Sequence, residues 1–229
     1  MSLPITGISS MATRQVLAEL AAAYRERTGV AVDIESVGGV DAAKRVAAGE
    51  PFDVVVLASD AIAKLEAAGA VVAGSATPLV RSAVAIAVRA GAPRPDVGSE
   101  EALRRAVLAA RTIGHSTGPS GTALLALFER WGVADTVRGR VVQAPPGVPV
   151  GTLVARGDVE LGFQQYSELM SLPGIAVLGA MPPGTEIVTI FTGAVCAAST
   201  QPDAVRALLG FMRSPEAADA KRRHGMDPA

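Results

Sequence analysis

The chain has 229 residues, 49% of them hydrophobic and 3% aromatic, with 21 basic and 22 acidic side chains for a formal net charge of −1. That length and apolar content suit a packed α/β protein with one large or two small domains, and they exclude disorder. Near-neutral charge without a basic stripe argues against a nucleic-acid partner, and so few aromatics leave little for base stacking.

Pro4-Ile5-Thr6-Gly7-Ile8 reads as a first strand ending at Ser9-Ser10. Leu17, Leu20, Ala21 and Tyr24 mark the apolar face of a helix that closes at Gly29. Residues 30–35 alternate and read as a second strand. Val37-Gly38-Gly39-Val40 then forms a loop before a helix over about residues 41–48. Asp53–Leu57 is a continuous apolar run of the kind found in strands buried on both faces, and a helix over about 59–68 ends at Gly69. This alternation predicts a parallel sheet with right-handed crossovers, in which ligands bind outside the carboxyl ends of the strands. Ser9-Ser10 and Gly38-Gly39 sit at those ends.

A long apolar strand, Leu79–Val88, comes next, followed by a Pro/Gly-rich turn and a helix over about 99–110. The second half repeats the pattern: strand 111–114, helix 120–131, a strand near Val141-Val142, helix 149–156 and strand Glu160–Phe163. Glu186–Cys196 is another long strand, and helices Pro202–Met212 and Pro215–Arg223 close the chain. Two α/β lobes bounded by two long strands imply a cleft between them, and the expected division is 1–80 with 192–229 against 81–191.

Between strand 111–114 and the next helix lies Gly114-His115-Ser116-Thr117-Gly118-Pro119-Ser120-Gly121, rich in hydroxyls and without an acidic side chain. A helix N-terminus offers unpaired N–H groups and partial positive charge, so this loop can cradle an anion; it also reads simply as a well-capped turn. No lysine follows the glycine, so the Walker pattern fails, and Gly121 comes one place early for a nucleophile elbow. Ser120 and His115 share one short loop with no orienting carboxylate, which argues against nucleophilic catalysis. Trp131 reads as core, and His224 as a cap at a helix end.

The lone cysteine, Cys196, lies in an apolar run and reads as a buried, inert thiol. Two histidines and no Cys/His cluster make a metal site improbable, and no cofactor is expected. No stretch approaches the roughly 20 apolar residues that cross a bilayer. Met1–Pro4 runs straight into the first strand, so the expectation is a periplasmic location if an export signal has been removed, and a cytoplasmic one otherwise.

At this point the chain resembles the type 2 periplasmic solute-binding proteins, most closely their molybdate-binding-protein-like branch. The resemblance runs nearly end to end. It is carried by Ser9-Ser10, Arg27-Thr28-Gly29-Val30, residues 47–56 (AAGEPFDVVV), Pro119-Ser120-Gly121, residues 161–168 (LGFQQYSE) and residues 214–218 (SPEAA). It implies two Rossmann-like lobes joined by two crossing strands, closing over a small anion that an ABC permease then receives, in a monomeric, non-catalytic protein.

By the same resemblance, Ser9 or Ser10 matches the first-loop serine, and Gly38-Gly39-Val40 falls where molybdate binders carry consecutive serines. Ser120 and Gly121 match the backbone donor in lobe two. Pro149 and Gln165 fall near the last backbone donor and the pocket tyrosine, with Tyr166 adjacent to the latter. The departures have chemical consequences. Glycines at 38 and 39 remove hydroxyl donors, and Pro149 has no N–H. Asp41 places a carboxylate near the loop, where it also suits the first turn of a helix. Gln165 both donates and accepts, which suits a carboxylate as well as an oxyanion. The balance leans away from strict molybdate binding towards a small anion, either a molybdate-like oxyanion or a small organic carboxylate. The rival expectation is a cytoplasmic isomerase or lyase using Asp41 or His115 as general base, or a ligand sensor, on the same fold.

Overall fold

The structure, a computed structural model, describes residues 3–229. It divides into two compact α/β units, one formed by the chain up to Ser82 with Thr189–Ala229, the other by Ala83–Val188. In the first unit β1 (Ile5–Ser10), α1 (Arg14–Thr28), β2 (Val32–Val37), α2 (Gly39–Ala47), β3 (Val54–Ala58) and α3 (Ser59–Ala67) alternate. Strand β4 (Thr77–Arg89) then carries the chain into the second unit. That unit contains α4 (Glu100–Ala109), β5 (Ile113–His115), α5 (Pro119–Arg130), α6 (Ala134–Val137), β6 (Val141–Gln143) and α7 (Val150–Arg156). It continues with β7 (Leu161–Gln165), α8 (Tyr166–Leu169) and β8 (Ile175–Ala180). Strand β9 (Val188–Val195) returns the chain to the first unit, which α9 (Pro202–Arg213), α10 (Ala218–Arg223) and β10 (Asp227–Pro228) complete.

In the first unit β1 lies between β2 and β3, parallel to both, with Ser9 opposite Ser36 on one side and Val56 on the other. Strand β9 lies antiparallel against β3, an addition to the parallel sheet that the βα alternation predicts. In the second unit β5 runs parallel between β6 and β7, and residues 84–89 of β4 lie antiparallel against β7 and β8. Elements α6, α8, β8 and β10 are additions to the sequence reading; the others fall within a few residues of their expected bounds.

Strand periodicity builds the core. Successive side chains point to opposite faces, so Val54 and Val56 pack with Leu17, Leu20, Leu208 and Met212, while Val55 and Leu57 pack with Ala42, Val46, Ile62 and Leu65. Both faces of β3 are therefore covered by helices, which explains its unbroken apolar run. In the second unit Val84, Ile86 and Val88 face Leu103, Val107 and Phe128, while Ala85 and Ala87 face Leu169. Helix α1 ends as expected at Gly29, whose φ of 75° is left-handed and whose N–H bonds to the Arg25 carbonyl.

Asp53 ties the first unit together where β3 begins. Its carboxylate accepts from the Thr6 N–H (3.0 Å) and hydroxyl (3.2 Å), the Ser199 hydroxyl (2.7 Å) and the Gln201 amide (3.0 Å). Burial pushes its pKa up, but these donors outweigh burial and hold it below the usual aspartate value. Burial first, and the nearby Asp53 charge second, push the Cys196 thiol up to about 12, so it is inert as expected. Replacing Asp53 by Asn exchanges an ionic acceptor for a group that also donates, and urea unfolding at pH 7 is expected to show a loss of about 1–3 kcal/mol. Because the folded-state pKa is depressed, the carboxylate's contribution is full above the unfolded-state pKa. It is lost as pH falls through the folded value, so the gap between wild type and Asp53→Asn should close in acid.

Candidate functional site

In the first unit, the carboxyl ends of β1, β2 and β3 lead into 3₁₀ or α-helical turns, which gathers Ser10, Gly38–Val40 and Ser59 at one edge of the sheet. Ser9 and Ser10 separate cleanly there. The Ser9 hydroxyl is fully buried and spent on Ser36 Oγ at 2.8 Å. The Ser10 hydroxyl is buried with no hydrogen-bond partner. Ser10 stands before the short 3₁₀ turn Met11–Thr13, with its backbone extended (φ −74°, ψ 155°) and its side chain making no capping bond. Its carbonyl is held by the Thr13 hydroxyl at 3.1 Å.

Gly39 begins α2 against this serine: a Cβ built on it would lie 3.5 Å from the Ser10 Cβ and 3.9 Å from Leu57 Cδ2. The Gly38 carbonyl accepts the Ala42 N–H, and the N–H groups of the first turn before it have no intrahelical acceptor. Val40 is exposed. Asp41 is in this first turn, with Oδ2 3.4 Å from where a Gly38 Cβ would stand, so its carboxylate lies beside the donors as well as complementing the helix dipole. Ser59 Oγ meets Thr192 Oγ1 at 2.7 Å and the Ile190 carbonyl at 3.1 Å, a hydroxyl pair on the same sheet edge that sequence reading did not single out.

In the second unit, Gly118 precedes α5 and Pro119 fills its first position, where a missing N–H costs nothing. The Gly121 and Thr122 N–H groups both turn back to the Gly118 carbonyl, at 3.0 and 3.3 Å. Gly121, named from sequence as a backbone donor, thus has its N–H engaged within its own turn. Its role is close approach: a Cβ there would fall 2.0 Å from the Ser116 carbonyl oxygen and 2.7 Å from His115 Nδ1. Ser120 is buried, and its hydroxyl meets Ser116 Oγ at 3.0 Å. His115 Nδ1 lies 2.9 Å from the Ser116 carbonyl.

Pro149 precedes α7, where the Gly151 N–H already donates to Gln164 Oε1 at 3.2 Å. Gln164 Nε2 in turn donates to Glu168 Oε1 at 2.9 Å. Burial pushes Glu168 up to about 7, against the lowering effect of the Gln164 bond. This chain of bonds links residues 13 and 4 apart in sequence, and local pattern reading has no signal for it. Gln165 is buried at the end of β7, and Tyr166, the first residue of α8, is exposed. Both ends thus offer neutral hydroxyls and N–H groups. Among the described residues no cluster of His, Cys, Asp and Glu could hold a metal ion, and no helix is long and apolar enough to cross a membrane.

A model of the bacterial extracellular solute-binding protein family matches residues 5–227. The chain belongs to this family. A relative from Pseudomonas sp named aconitate isomerase is 37% identical over 230 residues, covering 98% of this chain and 87% of its own. The periplasmic molybdate-binding protein of Azotobacter vinelandii superposes with a TM-score of 0.79 at 19% identity, covering 97% of this chain and 98% of that one. The sulfate-binding protein of Mycobacterium tuberculosis superposes with a TM-score of 0.78 at 21% identity, covering 100% and 88%. These two likenesses establish the type 2 periplasmic binding protein fold.

The packing at Gly121 has a direct test. Gly121→Ala drives a methyl group into fixed backbone, so thermal or urea unfolding should show a loss of at least about 1–3 kcal/mol. Gly118→Ala, whose Cβ would find its nearest neighbour at 4.0 Å, should stay within about 0.5 kcal/mol of wild type.

Proposed function

We propose that this solute-binding protein takes a small organic polycarboxylate of the aconitate class, bound by neutral hydroxyl and N–H donors. The observation that carries the reading is the Ser10 hydroxyl, buried with no partner at a sheet edge beside the free N–H groups of α2. Leaving such a hydroxyl unmet costs about 1–3 kcal/mol, which an anionic acceptor offsets. In the second unit, the Ser120 hydroxyl on α5, paired with Ser116 Oγ, is a further candidate donor. Gly38 and Gly39 support an organic ligand over a tetrahedral oxyanion, because they exchange hydroxyl donors for space. The 37% identity with the protein named aconitate isomerase points to the same chemical class. In this reading the protein works outside the cytoplasm, as its family's description indicates, and hands the anion to an ABC permease.

A second reading, that the chain isomerises the carboxylate it binds, is favoured by that same relative's name. It fits a fold on which two donor-rich sheet edges can serve chemistry as well as transport.

A melting-temperature series with cis-aconitate, trans-aconitate, citrate, molybdate, sulfate and phosphate tests the reading. A polycarboxylate at ~100 times its Kd should stabilise the protein by about 2.7 kcal/mol. Ser10→Ala should weaken that ligand roughly 10- to 100-fold, the loss of a hydrogen bond to a charged group. A shift with molybdate alone, or an unchanged affinity in Ser10→Ala, would overturn it.

A further inference from the structure

His115 closes β5 at the strand's carboxyl end, immediately before the hydroxyl-rich turn into α5. Its surroundings fix the tautomer of its neutral ring. Nδ1 lies 2.9 Å from the Ser116 carbonyl oxygen, and a carbonyl only accepts, so Nδ1 carries the proton. The neutral ring then presents the Nε2 lone pair, and Nε2 has no hydrogen-bond partner among the described residues. The residue is 6% exposed. Gly121 leaves room for the ring: a Cβ there would fall 2.7 Å from Nδ1, so a side chain would displace the imidazole. An imidazole oriented by a backbone carbonyl on one nitrogen and open on the other is the usual arrangement of a general base.

Of the other titratable groups near these loops, one is engaged within its own unit and one stands exposed on the other unit. Glu168 accepts from Gln164, which in turn holds the Gly151 N–H, so its carboxylate is part of the support of α7. Asp41 is exposed in the first turn of α2, in the other unit.

We propose that His115 is the catalytic acid–base residue of an isomerase activity, moving a proton between two carbons of a bound unsaturated polycarboxylate. The inference rests on the reading that the ligand is of the aconitate class. Such a molecule carries a methylene group next to its carbon–carbon double bond. Nε2 takes one methylene proton: a C–H bond breaks, an N–H bond forms, and the electron pair spreads over the three-carbon allylic system and its carboxylates. The same Nε2–H then returns the proton to the far carbon. The double bond has moved by one position, and its new geometry is set by how the arm was held. No oxidant, reductant or metal takes part, and the balance closes on one proton. Charge spreading onto a carboxylate is stabilised by nearby donors such as the Ser116–Ser120 hydroxyl pair, which lies one turn from the base.

The test compares wild type, His115→Asn and His115→Gln in heavy water, following both isomer conversion and methylene deuteration by proton NMR, with calorimetry for affinity. Asn can still donate to the Ser116 carbonyl where Nδ1 does, so it keeps the loop while removing the base; Gln instead reaches towards the Nε2 position without titrating. The expected result is conversion with deuteration in wild type, loss of both by ~100-fold or more in either variant, and affinity held within about threefold. Should one variant lose its melting transition, the other decides. Conversion retained within about threefold in a folded variant overturns the proposal. Wild type that binds aconitate but neither converts nor deuterates it overturns the proposal while leaving the binding reading intact. Absence of carboxylate binding removes the reading beneath it, and the proposal with it.

Discussion

Much of this structure turns on the cost of hiding a hydroxyl. A buried donor without an acceptor is unfavourable by roughly 1–3 kcal/mol, so such groups are rare outside sites that expect company. Among the described residues the Ser10, Ser82 and Ser214 hydroxyls are such groups; Ser10 is the one at the carboxyl end of β1, and the architecture around it holds it in place. The β1 register against β2 turns Ser9 towards Ser36 and so spends that hydroxyl inside the unit. The Thr13 hydroxyl fixes the Ser10 carbonyl, and Gly39 brings the start of α2 to the Ser10 side chain. At the far end of β3, Asp53 binds β1 to the loop before α9, anchoring the strands whose other ends carry the donors.

The second unit meets the same requirement with different parts. Its parallel strands again end in helical turns, but the first turn of α5 offers fewer N–H groups, because Pro119 has none and Gly121 turns inward. Hydroxyls of Ser116 and Ser120 stand there instead. Neutral donors suit an anion that must also leave, since they avoid the deep well of a desolvated salt bridge. They also suit a reaction in which negative charge moves across the ligand, because dipoles serve a spreading charge from several sides.

Much of the fold was legible because its strands and helices carry plain periodicities. The all-apolar run of β3, the helical spacing through Leu17–Tyr24 and the glycine stops after helices translate directly into buried strands and capped ends. What escaped has physical reasons. Helix α8 is four residues long, too short to show a period, and β8 is half-buried up to its exposed last residue, so it lacks the contrast between faces that marks a strand. At the site, sequence order narrowed the first serine to two neighbours, and only the partner at Ser36 distinguishes them. The Gly151–Gln164 bond and the Ser59–Thr192 pair join residues on different elements, 13 and 133 apart in sequence, and no local pattern announces them. Gly121 reads from sequence as a donor; its tight approach to Ser116 and His115 is visible only in three dimensions.

We propose that Ser10 is held open for a carboxylate. A crystal structure of the protein with trans-aconitate tests it most directly. The account predicts a ligand carboxylate oxygen about 2.5–3.0 Å from Ser10 Oγ, the distance of a charge-assisted hydroxyl bond. A bound ligand whose oxygens all stay more than about 3.5 Å from that hydroxyl would contradict it.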